Sequence, residues 1–186
     1  WHIVGNVRFA FSITMLLGGS LEKVRCGVLR MQQVSGPLNV KTLTDQIRLV
    51  GDTYSANVAS VNGGIDTLST FAGFNVLVLG DMKELGEKSR YYHEQVGQYA
   101  QRQGVDYLYT MGVLSQSASD AFDGPGGHFT SVGQLMSALE NDLWQQQRNI
   151  SILVKGSRSS HMERVVEAIE ASPLGKLERR RERIAC

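Results

Sequence analysis

Three short segments of this 186-residue sequence concentrate the side chains able to do chemistry. The first, GDTYSAN at 51–57, sets the carboxylate of Asp52, the phenol of Tyr54, the hydroxyl of Ser55 and the amide of Asn57 close together, a density of polar groups suited to a ribose or a phosphate. Asp52 could accept two hydrogen bonds from a ribose diol; alternatively, Asp52 and Ser55 merely cap a following helix and Asn57 is a turn amide. The second, GDMKELG at 80–86, has glycines at both ends for sharp turning and carries Asp81 and Glu84. Two carboxylates so spaced suit a metal or acid-base role, unless Asp81 caps a short turn and Lys83 and Glu84 are solvated. The third, KGSRS at 155–159, joins an apolar run to a helical one, so its backbone amides and the helix dipole favour an anion. Lys155, Ser157 and Arg158 add donors there; the alternative is an N-cap at Ser159 with exposed cations.

Such segments act only if rigid elements hold them. Short β-branched runs predict strands at Ile47 to Val50, Asn75 to Leu79, Tyr107 to Thr110 and Ile150 to Val154, with a weaker one near His128 and Phe129. Amphipathic stretches between them predict helices near Val58 to Phe71, Ser89 to Gln103, Leu114 to Ala121, Val132 to Gln147 and Ser160 to Ala171. This alternation is that of an α/β fold, a Rossmann-like open and mostly parallel sheet with helices on both faces. Ligands of such sheets bind beyond the carboxyl ends of the strands, where all three segments fall. Upstream, Val4 to Leu17 reads as a helix and Ser20 as the N-cap of a second one, stopped by Ser35, Gly36 and Pro37. A domain boundary is expected there.

Hydrophobic content of 42% and charged content of 20% are ordinary for a soluble globular protein. A net charge of +1 offers no field for nucleic acid, and the one basic block, Lys176 to Arg183, is interrupted by Glu178 and Glu182 and reads as a solvated tail. The weakly charged run from Phe9 to Leu21 is too short for a membrane span of about 20 residues. Cys26 and Cys186 show neither a pairing pattern nor metal spacing, so a reducing, cytoplasmic setting is expected. His2, His93, His128 and His161 stand apart from metal-type partners, and no metal ligand is assigned. Neither G-x-x-x-x-G-K-[ST] nor a helix-opening G-x-G-x-x-G occurs.

The motifs resemble those of the Mur ligases, most closely the MurF branch, which joins D-alanyl-D-alanine to UDP-N-acetylmuramoyl-tripeptide. WHIVGN resembles the family's G-x-H-N-x-x-N segment at the end of its central ATPase domain, and VSGPL its V-P-G-R-L junction. DTYSANVAS is similar to D-[ST]-Y-N-A-N-x-x-S, and VLGDMKELG and ILVKGSRSSHME follow at the family's separation. The resemblance implies an amide ligation in which ATP phosphorylates the tripeptide carboxylate and the dipeptide amine displaces phosphate, with Mg2+ serving the phosphates. By position it implies that Asn6 meets the adenine with His2 beside it, that Asp52 meets the ribose, and that Tyr54 and Asn57 edge the nucleotide or substrate. Lys155, Ser157 and Arg158 are implied to hold the incoming dipeptide.

The implied organisation is a remnant of the central ATP-binding domain at 1–35, the Rossmann-like domain at 36–172 and a charged tail at 173–186. Ile3 stands where the family has Asn, Pro37 where it has a phosphate-reaching Arg, Ser55 where the branch has Asn, and Gly51 replaces a frequent Asp. The expectation is a carboxy-terminal ligase fragment that turns over nothing alone. The alternative is a binding or assembly module that kept the fold and lost the chemistry.

Overall fold

The computed structural model describes residues 2–20, 22 and 39–176. The chain forms two compact units, Trp1–Gly36 and Pro37–Cys186. In the first, α1 (His2–Leu16) takes up the apolar run expected to be helical. It ends where Gly18 adopts φ 77°; Gly18 N–H donates to the Met15 carbonyl and Gly19 N–H to the Thr14 carbonyl, which satisfies carbonyls a helix end leaves bare. The second helix expected after Ser20 lies, Glu22 apart, outside the described residues.

The second unit opens with β1 (Asn39–Thr44) and from β2 onward alternates strands and helices as the sequence predicts: β2 (Ile47–Asp52), α2 (Val58–Ser69), β3 (Phe74–Gly80), α3 (Ser89–Arg102), β4 (Tyr107–Met111), α4 (Gln116–Asp120), β5 (Gly126–Phe129), α5 (Val132–Leu143), β6 (Ile150–Lys155) and α6 (Glu163–Ala171). The six strands order as β1-β2-β6-β3-β4-β5, all parallel except β1, which pairs antiparallel with β2. β3 and β6 are buried along their whole length because both faces are covered, which is why FNVLVLG and ISILVK read as continuous rather than alternating apolar runs. One face packs Val76, Val78 and Ile152 against Leu135 and Leu139 of α5 and Val165 and Ile169 of α6. The other packs Leu77, Leu79 and Leu153 against Val61 and Ile65 of α2, Val96 of α3 and Ala118 of α4. Leu174, in the 3-10 turn Pro173–Lys176, is buried in the first of these cores.

Three local expectations are corrected. β1 was not anticipated, because Asn39, Lys41 and Thr42 are exposed on a sheet edge and supply no apolar alternation. The last helix opens at Glu163 rather than Ser160, since residues 158–160 form a 3-10 turn that closes with His161 at φ 52°. The helix expected to reach Gln147 stops at Leu143, its last buried apolar residue.

Candidate functional site

The carboxyl ends of β2, β6 and β3 lie side by side, so the loops that follow them meet at one rim. Asp52, closing β2, is the register partner of Lys155, closing β6, and Lys155 is in turn the partner of Leu79 in β3. The Lys155 side chain is fully buried, its stem lying against Gly64 of α2. An ammonium in that position needs partners, because a buried unpaired charge costs several kcal/mol. It donates to Asp52 Oδ2 at 2.5 Å and to the Ser55 carbonyl at 3.0 Å. Asp52 itself keeps a side-chain exposure of 22%, and among the described residues its Oδ1 has no hydrogen-bond partner.

Two residues on, Tyr54 turns outward with 56% of its surface exposed. The Arg158 guanidinium carbon lies 5.4 Å from the Tyr54 ring centroid, within cation–π range. The ends of β2 and β6 and the loops after them therefore share both a part-buried ion pair and an exposed aromatic-cation platform. Asn57 plays a different part. Its Oδ1 accepts from Ser60 N–H at 2.8 Å while its own N–H donates to Ser60 Oγ at 3.0 Å, the reciprocal capping box that starts α2. The helix cap is Asn57, not Asp52 or Ser55.

The loop after β3 is held from three sides. Asp81 is buried, and its Oδ1 accepts from Leu114 N–H at 3.0 Å and Ser115 N–H at 2.9 Å, so it caps the turn after β4 rather than its own. Gly112 makes this possible: at φ 131° it leaves the space where a Cβ would sit 2.3 Å from Asp81 Oδ1. The Asp81 carbonyl accepts from both N–H (3.0 Å) and Oγ (2.7 Å) of Ser157, tying the β3 loop to the β6 loop. Finally, Met82 N–H donates to Nε2 of the buried His93 at 2.9 Å, while His93 Nδ1 lies 2.7 Å from the Ser89 carbonyl. That pair of contacts selects the neutral tautomer with its proton on Nδ1, and burial pushes the His93 pKa below its usual value.

Asp81 and Glu84 are thus not a working pair. Asp81 is committed to backbone amides, with only a 3.8 Å approach from the exposed Lys83, and Glu84 is exposed at φ 62°. Among the described residues no group of three or more His, Cys, Asp and Glu side chains could hold a metal ion. The structure brings Asp52, Tyr54, Lys155, Ser157 and Arg158 to one rim, with Ser157 turned into the Asp81 backbone. His2 and Asn6 belong to α1 in the other unit, and their side chains, like Pro37, lie outside what is described. Sequence reasoning gave Ser60 no role beyond its place in DTYSANVAS and His93 none beyond a surface or core one. The N-x-x-S spacing signals the first; for the second the signal is a lone histidine one turn into a helix that follows the DMKELG loop.

Residues 30–158 match the family described as Mur ligase, glutamate ligase domain. The chain is 37% identical to the UDP-N-acetylmuramoyl-tripeptide--D-alanyl-D-alanine ligase of Escherichia coli strain K12 and 38% identical to that of Haemophilus influenzae; each match covers 91% of this chain and 37% of the relative. The crystal structure of MurF from Acinetobacter baumannii superposes with a TM-score of 0.76 at 28% identity, covering 92% of this chain and 38% of that one. The chain therefore spans somewhat more than a third of the length of the relatives it matches. A match over most of its length, on a sheet whose loops meet as described, makes this chain a member of the Mur ligase family.

Proposed function

We propose that this chain serves in an ATP-dependent ligase adding D-alanyl-D-alanine to UDP-N-acetylmuramoyl-tripeptide, the reaction named for its relatives. In this reading the tripeptide carboxylate attacks the γ-phosphorus of ATP and ADP leaves. The dipeptide amine then attacks the acyl phosphate carbon, loses a proton and expels phosphate. Such chemistry depends on prearranged polar groups more than on covalent participation by the protein.

The second unit contributes part of the nucleotide and dipeptide sites. Asp52 Oδ1 accepts from the ribose, and Tyr54 lies along the nucleotide edge. Arg158, beside Tyr54, meets the dipeptide carboxylate, with Ser157 and Lys155 behind it; Asn57 sets the start of α2 under the site. The donor set fits a nucleotide: a free carboxylate oxygen, an exposed ring and a guanidinium within 5.4 Å of it. Mg2+ would accompany ATP and offset the charge of its phosphates; among the described residues no cluster of His, Cys, Asp and Glu is assigned to it. Among the described residues no helix is long and apolar enough to cross a membrane, and nucleotide-linked substrates put the reaction in the cytoplasm.

The observation that carries the reading is the shared rim of Asp52, Tyr54 and Arg158 in a chain matching these ligases over 91% of its length. An NMR titration of the chain with ADP, NAD and D-alanyl-D-alanine tests it. Shifts at Asp52, Tyr54 and Arg158 with ADP and the dipeptide are expected. Binding of NAD alone, or no response to ADP, overturns it.

A further inference from the structure

We infer that Lys155 is a positioning residue: it fixes Asp52 and the turn through Ser55 for a ribose hydroxyl, and does not itself touch the incoming dipeptide. The inference rests on the nucleotide role proposed for Asp52 and revises the dipeptide role implied for Lys155.

The geometry argues it directly. The Lys155 side chain has no exposed surface, so no ligand reaches its ammonium while the rim is intact. Two of its three N–H donors are committed, one to Asp52 Oδ2 and one to the Ser55 carbonyl. Asp52 closes β2 and Ser55 lies on the loop after it, while Lys155 ends β6, so a single side chain staples one strand end to the end of its neighbour and to the loop leaving it. The consequences for Asp52 are specific. Pinning Oδ2 selects one rotamer of a carboxylate that is partly exposed and would otherwise sample several, and it leaves Oδ1 as the acceptor facing the rim. An acceptor fixed before the ligand arrives does not reorganise on binding, which is the advantage of a buried staple over a mobile surface lysine.

The test is a double-mutant cycle on the chain, K155M, D52N and K155M/D52N, read by NMR titration with ADP and separately with D-alanyl-D-alanine, together with thermal melts. Each single variant is expected to weaken ADP binding about tenfold, the scale of a lost hydrogen bond to a charged group. In the D52N background K155M should weaken it no further than about twofold, since the two act as one unit. Dipeptide binding should be unchanged by K155M, whereas a merely structural defect would weaken both ligands together. Loss of dipeptide affinity in K155M, or an equal loss of ADP affinity with and without Asp52, overturns the inference. In the melts, D52N leaves an ammonium buried without its anion, so the double variant should melt at or above D52N; additive losses overturn the pairing. If the wild-type chain binds no ADP, the nucleotide reading fails, and the positioning role then stands or falls on the melting cycle. Should K155M not fold, K155R carries the test: its planar fork displaces Asp52, so ADP affinity falls and dipeptide affinity does not.

Discussion

Asp81 and Ser115 stand 34 positions apart in the chain, yet the Ser115 amide donates to Asp81 Oδ1 at 2.9 Å, joining the loop after β3 to the loop after β4. The same oxygen takes the Leu114 amide, so one carboxylate oxygen satisfies two backbone donors that would otherwise open the turn into α4 unpaired. What looks in sequence like half of a metal site is a strut beneath the rim.

Replacing Asp81 therefore affects stability before chemistry. D81A strands two amides, each costing about 1–3 kcal/mol when buried without a partner, and a loss of about 3 kcal/mol is expected in urea unfolding. D81N keeps an acceptor oxygen but not the charge and should lose about 1 kcal/mol. A D81A variant of wild-type stability would show that the strut is dispensable.

His93 gives the fold a pH dependence of definite sign. Its folded-state pKa lies below the ordinary value of 6.5, chiefly through burial and against the opposing pull of the Ser89 carbonyl and the Asp81 charge; Lys83 acts in the same direction as burial. In the window between 6.5 and that lowered value the unfolded chain binds more protons, so stability rises with pH and is lost as pH falls through it. The slope from this one group cannot exceed about 1.4 kcal/mol per pH unit. Protonation also puts an N–H on Nε2 where Met82 N–H needs an acceptor, so the β3 loop should loosen first. Urea titrations from pH 5 to 8 on wild type and H93Q isolate the effect: the stability advantage of wild type should be level above neutrality and shrink in acid. A pH-independent difference would remove His93 from the account.

Asn57 separates a structural role from a ligand role. N57A removes the reciprocal capping box of α2 and should cost about 1 kcal/mol, while N57D keeps the capping oxygen and should melt near wild type. If N57D nonetheless weakens ADP binding, the amide N–H groups of Asn57 touch the nucleotide as the family resemblance implies. Unchanged affinity would confine Asn57 to the cap.

The sheet and its helices could be read from the chain because β3 and β6, buried on both faces, leave unbroken apolar runs, and because α2, α3, α5 and α6 each show a one-sided apolar stripe. Loop positions followed, since a parallel sheet sends all its carboxyl ends to one rim. Side-chain partners were less legible. Whether Lys155 faced a ligand or Asp52 depended on β2 and β6 being neighbours in register, a relation between segments 103 residues apart that no local pattern records. Asp81 presents the same difficulty, because its partners are backbone amides after β4 and amides leave no mark in a sequence. The edge strand β1 was missed for a third reason: its polar, exposed residues are the ones that protect an edge from further pairing, and they erase the strand signal.

Tyr54 and Arg158 offer the most direct view of the site, because both are exposed and their removal should leave the fold within about 0.5 kcal/mol of wild type. In the proposed reading Y54A weakens ADP binding, and R158A weakens D-alanyl-D-alanine binding about tenfold by removing a charge-assisted contact to its carboxylate. R158K should recover only part of the loss, since an ammonium lacks the paired donors of a guanidinium. The 5.4 Å approach of Arg158 to the Tyr54 ring adds a cross term: without the ring, the guanidinium loses the surface that orients it. Y54A should then also reduce dipeptide affinity, by less than R158A does, and Y54A/R158A should bind the dipeptide no worse than R158A alone. Strictly additive effects would mean that the two residues face their ligands independently and that the platform has no role in coupling them.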